Sequence, residues 1–297
     1  MQPKVLFLVP PLKSILGDDH IRKDGRDSYR ARYPAIGIAY IMATLKQAKI
    51  ACKVLDMNLG YSSDQLLDYV KSNNPDFIGI TIFSAGYRTA YSLIEFLRSH
   101  YDGKIVIGGP HVSVVTKQAL EATQADFAVV GEGEYALLEL VQNSELEKIK
   151  GLIWRQGSRI IVNETRPYLE DLDSLPFPAF EDFELEKYFC FVDRRVPLIT
   201  SRGCPYQCTY CCTRLSMGRK FRARSPENVV AEIQHWREKG WSIFDINDDV
   251  FTLNKERAEK ICKLILERKL NIELNLYVGI RVDNIDERMT KFLNTLA

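Results

Sequence analysis

The run Leu198-Ile199-Thr200-Ser201-Arg202-Gly203-Cys204-Pro205-Tyr206-Gln207-Cys208-Thr209-Tyr210-Cys211-Cys212 passes from strand character into a loop crowded with thiols, and its reading decides the fold. Leu198 to Ser201 predicts a strand, and Cys204, Cys208 and Cys211 follow it at C-x3-C-x2-C spacing. Three thiolates on one tight loop can each take one iron of a cubane cluster, which leaves the fourth iron without a protein ligand. The competing readings are zinc and plain structural cysteines. Structural zinc prefers four Cys or His ligands, commonly in two separated pairs. Here the nearest histidine, His235, sits inside a helical pattern, and Cys212, adjacent to Cys211, should point elsewhere and reads as a non-ligand.

Downstream of the loop, strands and helices alternate. Ser225-Pro226 is an N-cap and first-turn pair for a helix to Arg237, ending near Gly240. A strand over Ile243 to Ile246, a helix from about Asn254 to Lys269, a strand over Ile272 to Val278 and a helix from about Ile285 to Leu296 follow. The second strand runs into Asn247-Asp248-Asp249, whose oxygens can accept hydrogen bonds from an ammonium group. The plain alternative is a helix-cap cluster. Arg281, after the third strand, can face the interior or pair with Asp283 on the surface.

Upstream, short apolar runs alternate with helical patterns, the signature of a parallel sheet covered on both faces. Five strands are predicted: Val5 to Val9, Ala51 to Leu55, Phe77 to Ile82, Lys104 to Ile107 and Phe127 to Val130. Ile38, Ile41, Met42 and Leu45, then Leu66, Leu67 and Val70, then Leu93, Phe96 and Leu97 recur at helical spacing. In such sheets ligands sit beyond the carboxyl ends of the strands. Those ends read Pro10-Pro11-Leu12, Asp56-Met57-Asn58, Phe83-Ser84-Ala85-Gly86, Gly108-Gly109-Pro110-His111 and Gly131-Glu132-Gly133-Glu134. No G-x-G-x-x-G follows the first strand, which argues against a nicotinamide or flavin dinucleotide. A hairpin is predicted around Gly157, and Leu172-Asp173-Ser174-Leu175-Pro176-Phe177-Pro178-Ala179 is too proline-punctuated for helix.

Composition sets the outer limits. With 46% hydrophobic and 27% charged residues over 297 positions, the chain has the makeup of an ordinary globular protein long enough for two domains. Forty basic residues against 39 acidic ones leave no field to attract nucleic acid or an anionic membrane. Lys4 to Val9, stopped by Pro10-Pro11, is too short to span a membrane or serve as a signal. The odd count of seven cysteines, four of them clustered, is unlike a disulfide framework and points to a metal site in a reducing cytoplasm. Cys52, Cys190 and Cys262 read as ordinary buried residues.

The loop, with aromatic Tyr210 before its last cysteine, resembles the cluster loop of the radical S-adenosylmethionine (SAM) superfamily. The resemblance implies that SAM chelates the open iron through its methionine part and that Tyr210 lies near the adenine. The reduced cluster would then cleave the sulfonium to methionine and a 5'-deoxyadenosyl radical. Asp245-Ile246-Asn247-Asp248-Asp249-Val250-Phe251 departs from the Gly-Gly-Glu-like motif of many members. It resembles the Asp-Asp-x-Phe variant of radical SAM proteins that carry a cobalamin-type domain, which implies that Asn247, Asp248 and Asp249 hold the SAM amino group. Gly279-Ile280-Arg281-Val282-Asp283 also resembles the family and adds Arg281 to the expected cofactor contacts.

A Rossmann-like unit ahead of such a barrel resembles the cobalamin-binding radical SAM enzymes. The resemblance implies a nucleotide tail buried between strand ends, where Ser84, Ala85 and Gly86, and Gly108 and Gly109, allow close approach. The Asp-x-His-x-x-Gly motif that ligates cobalt in many such domains is missing, since Asp18-Asp19-His20 comes near but Gly25 lies too far along, so no histidine ligand is expected from it. The plain alternative is a domain that binds nothing, with Gly108, Gly109 and Gly131 making turns and His111 a satisfied loop histidine.

The expected architecture is α/β. Residues 1–140 form a Rossmann-like, doubly wound cobalamin-binding-type domain, residues 141–195 a linker with a hairpin and a Pro-rich segment, and residues 196–297 the first half of a radical SAM (β/α) barrel. The resemblance implies a fuller barrel than three strand-helix units, so the chain is expected to be truncated. The expected function is reductive SAM cleavage by a [4Fe-4S] cluster, with cobalamin, for methyl transfer to carbon or a related radical cyclisation or rearrangement. One competitor is a cobalamin-independent radical SAM enzyme with a scaffold Rossmann domain. The other, of a different class, is a non-catalytic iron-sulfur or zinc-binding protein. The expected partners are a small-molecule substrate and an external one-electron reductant such as flavodoxin or ferredoxin, with no nucleic acid and no membrane span.

Overall fold

Short, nearly continuous apolar runs give strands whose two faces can both be covered. In the computed structural model, which describes residues 3–11, 33–276, 278, 280–287 and 290, this pattern builds the first of two compact units. Its elements run β1 (Lys4–Val9), α1 (Ile36–Gln47), β2 (Ala51–Asp56), α2 (Ser63–Asn73), β3 (Phe77–Thr81), α3 (Tyr87–Arg98) and β4 (Lys104–Gly108). They continue with α4 (Pro110–Val115), α5 (Lys117–Glu121), β5 (Phe127–Val129), α6 (Glu134–Val141), β6 (Leu152–Gln156) and β7 (Arg159–Val162). The sheet order is β2-β1-β3-β4-β5-β6-β7. The first five strands are parallel and the last two antiparallel. Leu6 and Leu8 of β1 share a buried cluster with Ile78 and Ile80 of β3, Leu66 of α2 and Leu93 and Leu97 of α3. Val5 and Phe7 are equally buried on the other face, where α1 and α6 pack together. Phe7 stands across from Gly79, where a Cβ would come within 2.9 Å of its ring.

This is a doubly wound sheet, and its order reverses direction between β1 and β3, the kind of point at which such sheets bind ligands. The five strands expected from sequence lie where predicted, to within a residue or so at their ends. The hairpin around Gly157 also forms, and it extends this sheet as β6 and β7. Helices α4 and α6 begin in residues expected only as strand-end loops, and α5 falls where the sequence predicts no element. Leu12, Asp18-Asp19-His20 and Gly25 lie outside the described residues.

Residues 169–177 and 189–297 form the second unit, while residues 178–188 stay with the first. The second unit contains α7 (Phe189–Val192), β8 (Arg195–Leu198), β9 (Ser201–Arg202), α8 (Thr213–Ser216) and β10 (Arg222–Ala223). It continues with α9 (Pro226–Glu238), β11 (Ile243–Ile246), α10 (Lys255–Glu267) and β12 (Glu273–Leu276). The parallel strands run β12-β11-β8, and β9 pairs with β10 as a separate antiparallel ribbon. Helices α9 and α10 pack against each other, with Ile233 and Trp236 of α9 and Ile261, Cys262 and Ile265 of α10 buried. Ser225 caps α9, its Oγ accepting from Asn228 N at 3.2 Å, with Pro226 in the first turn as read from sequence.

One expected strand is corrected. Leu198 to Ser201 does not continue as a single strand, because β8 ends at Leu198 and pairing resumes at Ser201 with a different partner. The final helix expected over 285–296 falls largely outside the described residues, as does Gly279. Among the described residues no helix is long and apolar enough to cross a membrane.

Candidate functional site

The break after β8 is held by polar groups that leave Thr200 fully engaged. Asp248 accepts from Thr200 N at 2.6 Å, from Thr200 Oγ1 at 2.5 Å and from Ser201 Oγ at 2.6 Å. Arg257 Nη2 and Arg224 N donate to the Thr200 carbonyl at 2.7 and 2.9 Å, and Arg224 Nη1 donates to the Ile199 carbonyl at 3.1 Å. Arg224 is in turn paired with buried Glu232. Backbone groups that would otherwise pair along a strand are thus satisfied by the Asp248, Arg257 and Arg224 side chains and one backbone N–H, which is the condition for a buried break.

Beyond the break, Gly203 takes φ of 83° and lets the chain pass under the 217–220 segment, where a Cβ would meet the Lys220 carbonyl at 2.2 Å. Cys204 N then donates to the Gly218 carbonyl at 3.2 Å, and Cys211 N to the Cys208 carbonyl at 3.1 Å. Gly203 is a site residue not expected from the sequence. A glycine just before a cysteine loop was the signal available.

Cys204, Cys208 and Cys211 are half-buried, and Cys212 is exposed. Burial pushes the Cys204 thiol up. The Tyr206 backbone N–H pulls it back, and the charges of Asp249, Cys211 and Cys208 add to the rise. Among the described residues no three His, Cys, Asp or Glu side chains are close enough to share one metal ion. An all-thiol donor set suits the irons of a cluster, each thiolate on a different iron, so the residues present fit a cubane with one iron open.

The expected SAM contacts fare differently from one another. Asp248 is wholly buried with both oxygens occupied, and burial raises its carboxyl against the lowering effect of Ser201 and Thr200. Asp249 lies at the surface. Its Oδ1 accepts from Thr213 Oγ1 at 3.1 Å, and Cys211 Sγ lies 3.3 Å from that hydroxyl. The helix-cap alternative for these aspartates does not hold, since Asn254 caps α10, its Oδ1 accepting from Arg257 N at 2.9 Å. Asn247 N donates to the Leu198 carbonyl at 2.8 Å and its Nδ2 to the Asp245 carbonyl at 2.9 Å. Tyr210 stands 90% exposed beside the cysteines. Arg281 is exposed and pairs with Asp283 at 2.7 Å, and it also lies 3.8 Å over the ring of Tyr206, inside the cysteine loop. Tyr206 donates to Asn284 Oδ1 at 3.0 Å. Tyr206 and Asn284, which sequence reasoning passed over, thus tie the cysteine loop to the segment after β12.

In the first unit, Gly109 takes φ of 98°, and a Cβ there would lie 2.8 Å from Thr81 Oγ1 and 3.0 Å from the Ile82 backbone. Gly108 is less constrained, its nearest would-be contact lying at 3.7 Å. Ser113 Oγ donates to the Gly109 carbonyl and accepts from Gly131 N, joining the ends of β4 and β5. Ser84 Oγ lies 3.2 Å from His111 Nδ1, and Tyr91 Oη lies 3.2 Å from His111 Nε2. His111 is buried and stacked on Tyr87, and burial lowers its pKa. Ser84, Gly108, Gly109 and His111 therefore share the carboxyl end of the sheet beside an exposed Phe83.

Residues 22–141 match the family model of the B12 binding domain, and residues 198–294 match that of the radical SAM superfamily. The chain is 29% identical over 300 residues to an uncharacterised methyltransferase of Pyrococcus horikoshii, covering 97% of this chain and 62% of that protein. It is 26% identical over 277 residues to the anaerobic magnesium-protoporphyrin IX monomethyl ester cyclase of Cereibacter sphaeroides, covering 88% and 45%. Among solved structures, the radical SAM methyltransferase TsrM of Kitasatospora setae, with cobalamin and a [4Fe-4S] cluster bound, matches with a TM-score of 0.76 and 18% identity. That match covers 99% of this chain and 57% of the other, and at such identity the similarity is one of fold. The chain spans about half the length of the curated relatives it matches.

Proposed function

Because the chain is a radical SAM protein with a B12-binding domain ahead of its radical SAM domain, we propose that it cleaves SAM reductively and uses cobalamin to move a methyl group onto carbon, or to drive a related cyclisation or rearrangement. The observation that carries this is the C-x3-C-x2-C set of thiols on one loop anchored at the end of a parallel strand. Cys204, Cys208 and Cys211 would hold a [4Fe-4S] cluster, which when reduced would supply the electron that cleaves SAM to methionine and a 5'-deoxyadenosyl radical.

The chain's own residues bind and orient. Tyr210, exposed, would lie near the adenine. Asp249, with one oxygen on Thr213, has acceptor capacity left for the SAM ammonium group, and Asn247 and Arg281 complete its surroundings. Asp248 acts on the same site through the backbone it holds. Ser84, Gly108 and Gly109, at the strand ends of the first sheet, line the cobalamin tail. The proposed division is residues 1–140 for cobalamin, 141–195 for the connection and 196–297 for SAM, in a reducing cytoplasm with a flavodoxin- or ferredoxin-like donor. The substrate is a small molecule.

The test is anaerobic reconstitution with iron and sulfide, followed by reduction with dithionite in the presence of SAM. 5'-Deoxyadenosine should form with the wild-type chain and not with Cys208→Ala. A wild-type chain that takes up no cluster would overturn the proposal.

A further inference from the structure

Consecutive residues at a strand's end point to opposite sides, so a pair of like side chains there can reach two different neighbours. Asp248 and Asp249 follow β11 in this way. Asp248 turns inward to Thr200 and Ser201, just before the cysteine loop. Asp249 turns outward to Thr213, just after it, and the same hydroxyl lies 3.3 Å from Cys211 Sγ. One strand end therefore grips both ends of a single loop. Neither aspartate is needed to start α10, whose cap is Asn254.

We propose that Asp248 and Asp249 form a clamp, a pair of positioning residues that holds Cys204, Cys208 and Cys211 in place before any iron arrives. The proposal rests on the reading above only for what the loop carries, since the clamp itself belongs to the apo chain. Its physical basis is that a loop fixed at both ends samples fewer arrangements, so less ordering remains to be done when ligands must converge. Asp248 accepts three short hydrogen bonds at one end, so its loss would leave the Thr200 N–H and two hydroxyls without an acceptor. At the other end a single threonine hydroxyl links a carboxylate to a cysteine.

The experiment is alkylation of the cluster-free full chain with iodoacetamide, with the rate at each cysteine read by mass spectrometry and referred to exposed Cys212. In Asp248→Asn, Cys204 should react about tenfold faster relative to Cys212, the size expected when buried hydrogen bonds are lost from a local opening equilibrium. Thr213→Val should raise the relative rate at Cys211, and Thr213→Ser, which keeps the hydroxyl, should behave as wild type. Iron and sulfide uptake should slow in the same two variants. Ile265→Ala, buried in α10, serves as a destabilised control that leaves the clamp intact. If Ile265→Ala reproduces the alkylation pattern, or Thr213→Val matches Thr213→Ser, the clamp is wrong. Should Asp248→Asn fail to fold, the threonine pair still decides. A wild-type chain that takes up no cluster would reject the cluster reading while leaving the alkylation pattern to judge the clamp.

Discussion

Two adjacent glycines at the end of β4 look interchangeable in the sequence and are not so in the structure. Gly109 has a backbone conformation that side-chain-bearing residues rarely adopt, and a Cβ there would press on Thr81 and Ile82. Gly108 has a conformation open to other residues and room for a methyl group. Gly109→Ala should therefore cost about 2 kcal/mol or more, combining backbone strain with a forced contact. Gly108→Ala should stay within about 1 kcal/mol. Urea unfolding checks this as a drop in midpoint at constant slope for Gly109→Ala, and equal losses in the two variants would contradict it. The residue scale is also where the sequence was least informative. Asn247, Asp248 and Asp249 read as three equivalent acceptors, yet one is buried with every oxygen filled, one is at the surface, and one spends its amide on its own strand. Burial and direction depend on neighbours about fifty residues away in sequence, such as Thr200, and no local pattern carries that information.

Elements were more legible. The runs behind β1 to β5 are apolar, short and bounded by turn formers, so period and length alone place them. Helix α9 was marked at its start by Ser225-Pro226, a signal that depends only on the first turn. What failed was the strand over 198–201. Its apolar start is a strand, but Thr200 exchanges ladder partners for Asp248, Arg257 and Arg224, and the pairing moves to β10. Ser225 tests how far a cap matters here. Its Oγ satisfies Asn228 N, while the Asn228 side chain accepts from Arg224 Nε at 2.7 Å, so the cap borders the network that holds the cysteine loop. Ser225→Ala should cost about 1 kcal/mol, the usual worth of an N-cap. A lowering of Tm by about 2–4 °C is expected for a chain of this size. Scanning calorimetry of the apo chain measures it, and an unchanged Tm would show that the cap is made good by other groups.

At the scale of the whole molecule, the two units carry different chemical equipment. The first has a seven-stranded sheet with small residues and a buried histidine at its strand ends, and among the described residues none of the three loop cysteines belongs to it. The second holds the thiols, the clamp and the aromatic beside them. Net charge near zero gives neither unit a general attraction for anions, so each cofactor must be held by shape and local contacts. If cobalamin belongs to the first unit alone, removing a cluster ligand should leave it in place. Cys208→Ala, expressed with hydroxocobalamin and desalted, should lose its iron and still retain about one cobalamin per chain, read from the corrin absorbance, because the substituted side chain lies in the other unit. A wild-type chain that binds the cluster and cleaves SAM but retains no cobalamin would make the first sheet a scaffold. Loss of both cofactors in Cys208→Ala would instead mean that cobalamin binding depends on the loaded second unit, an energetic coupling between the two sites that should then run in both directions.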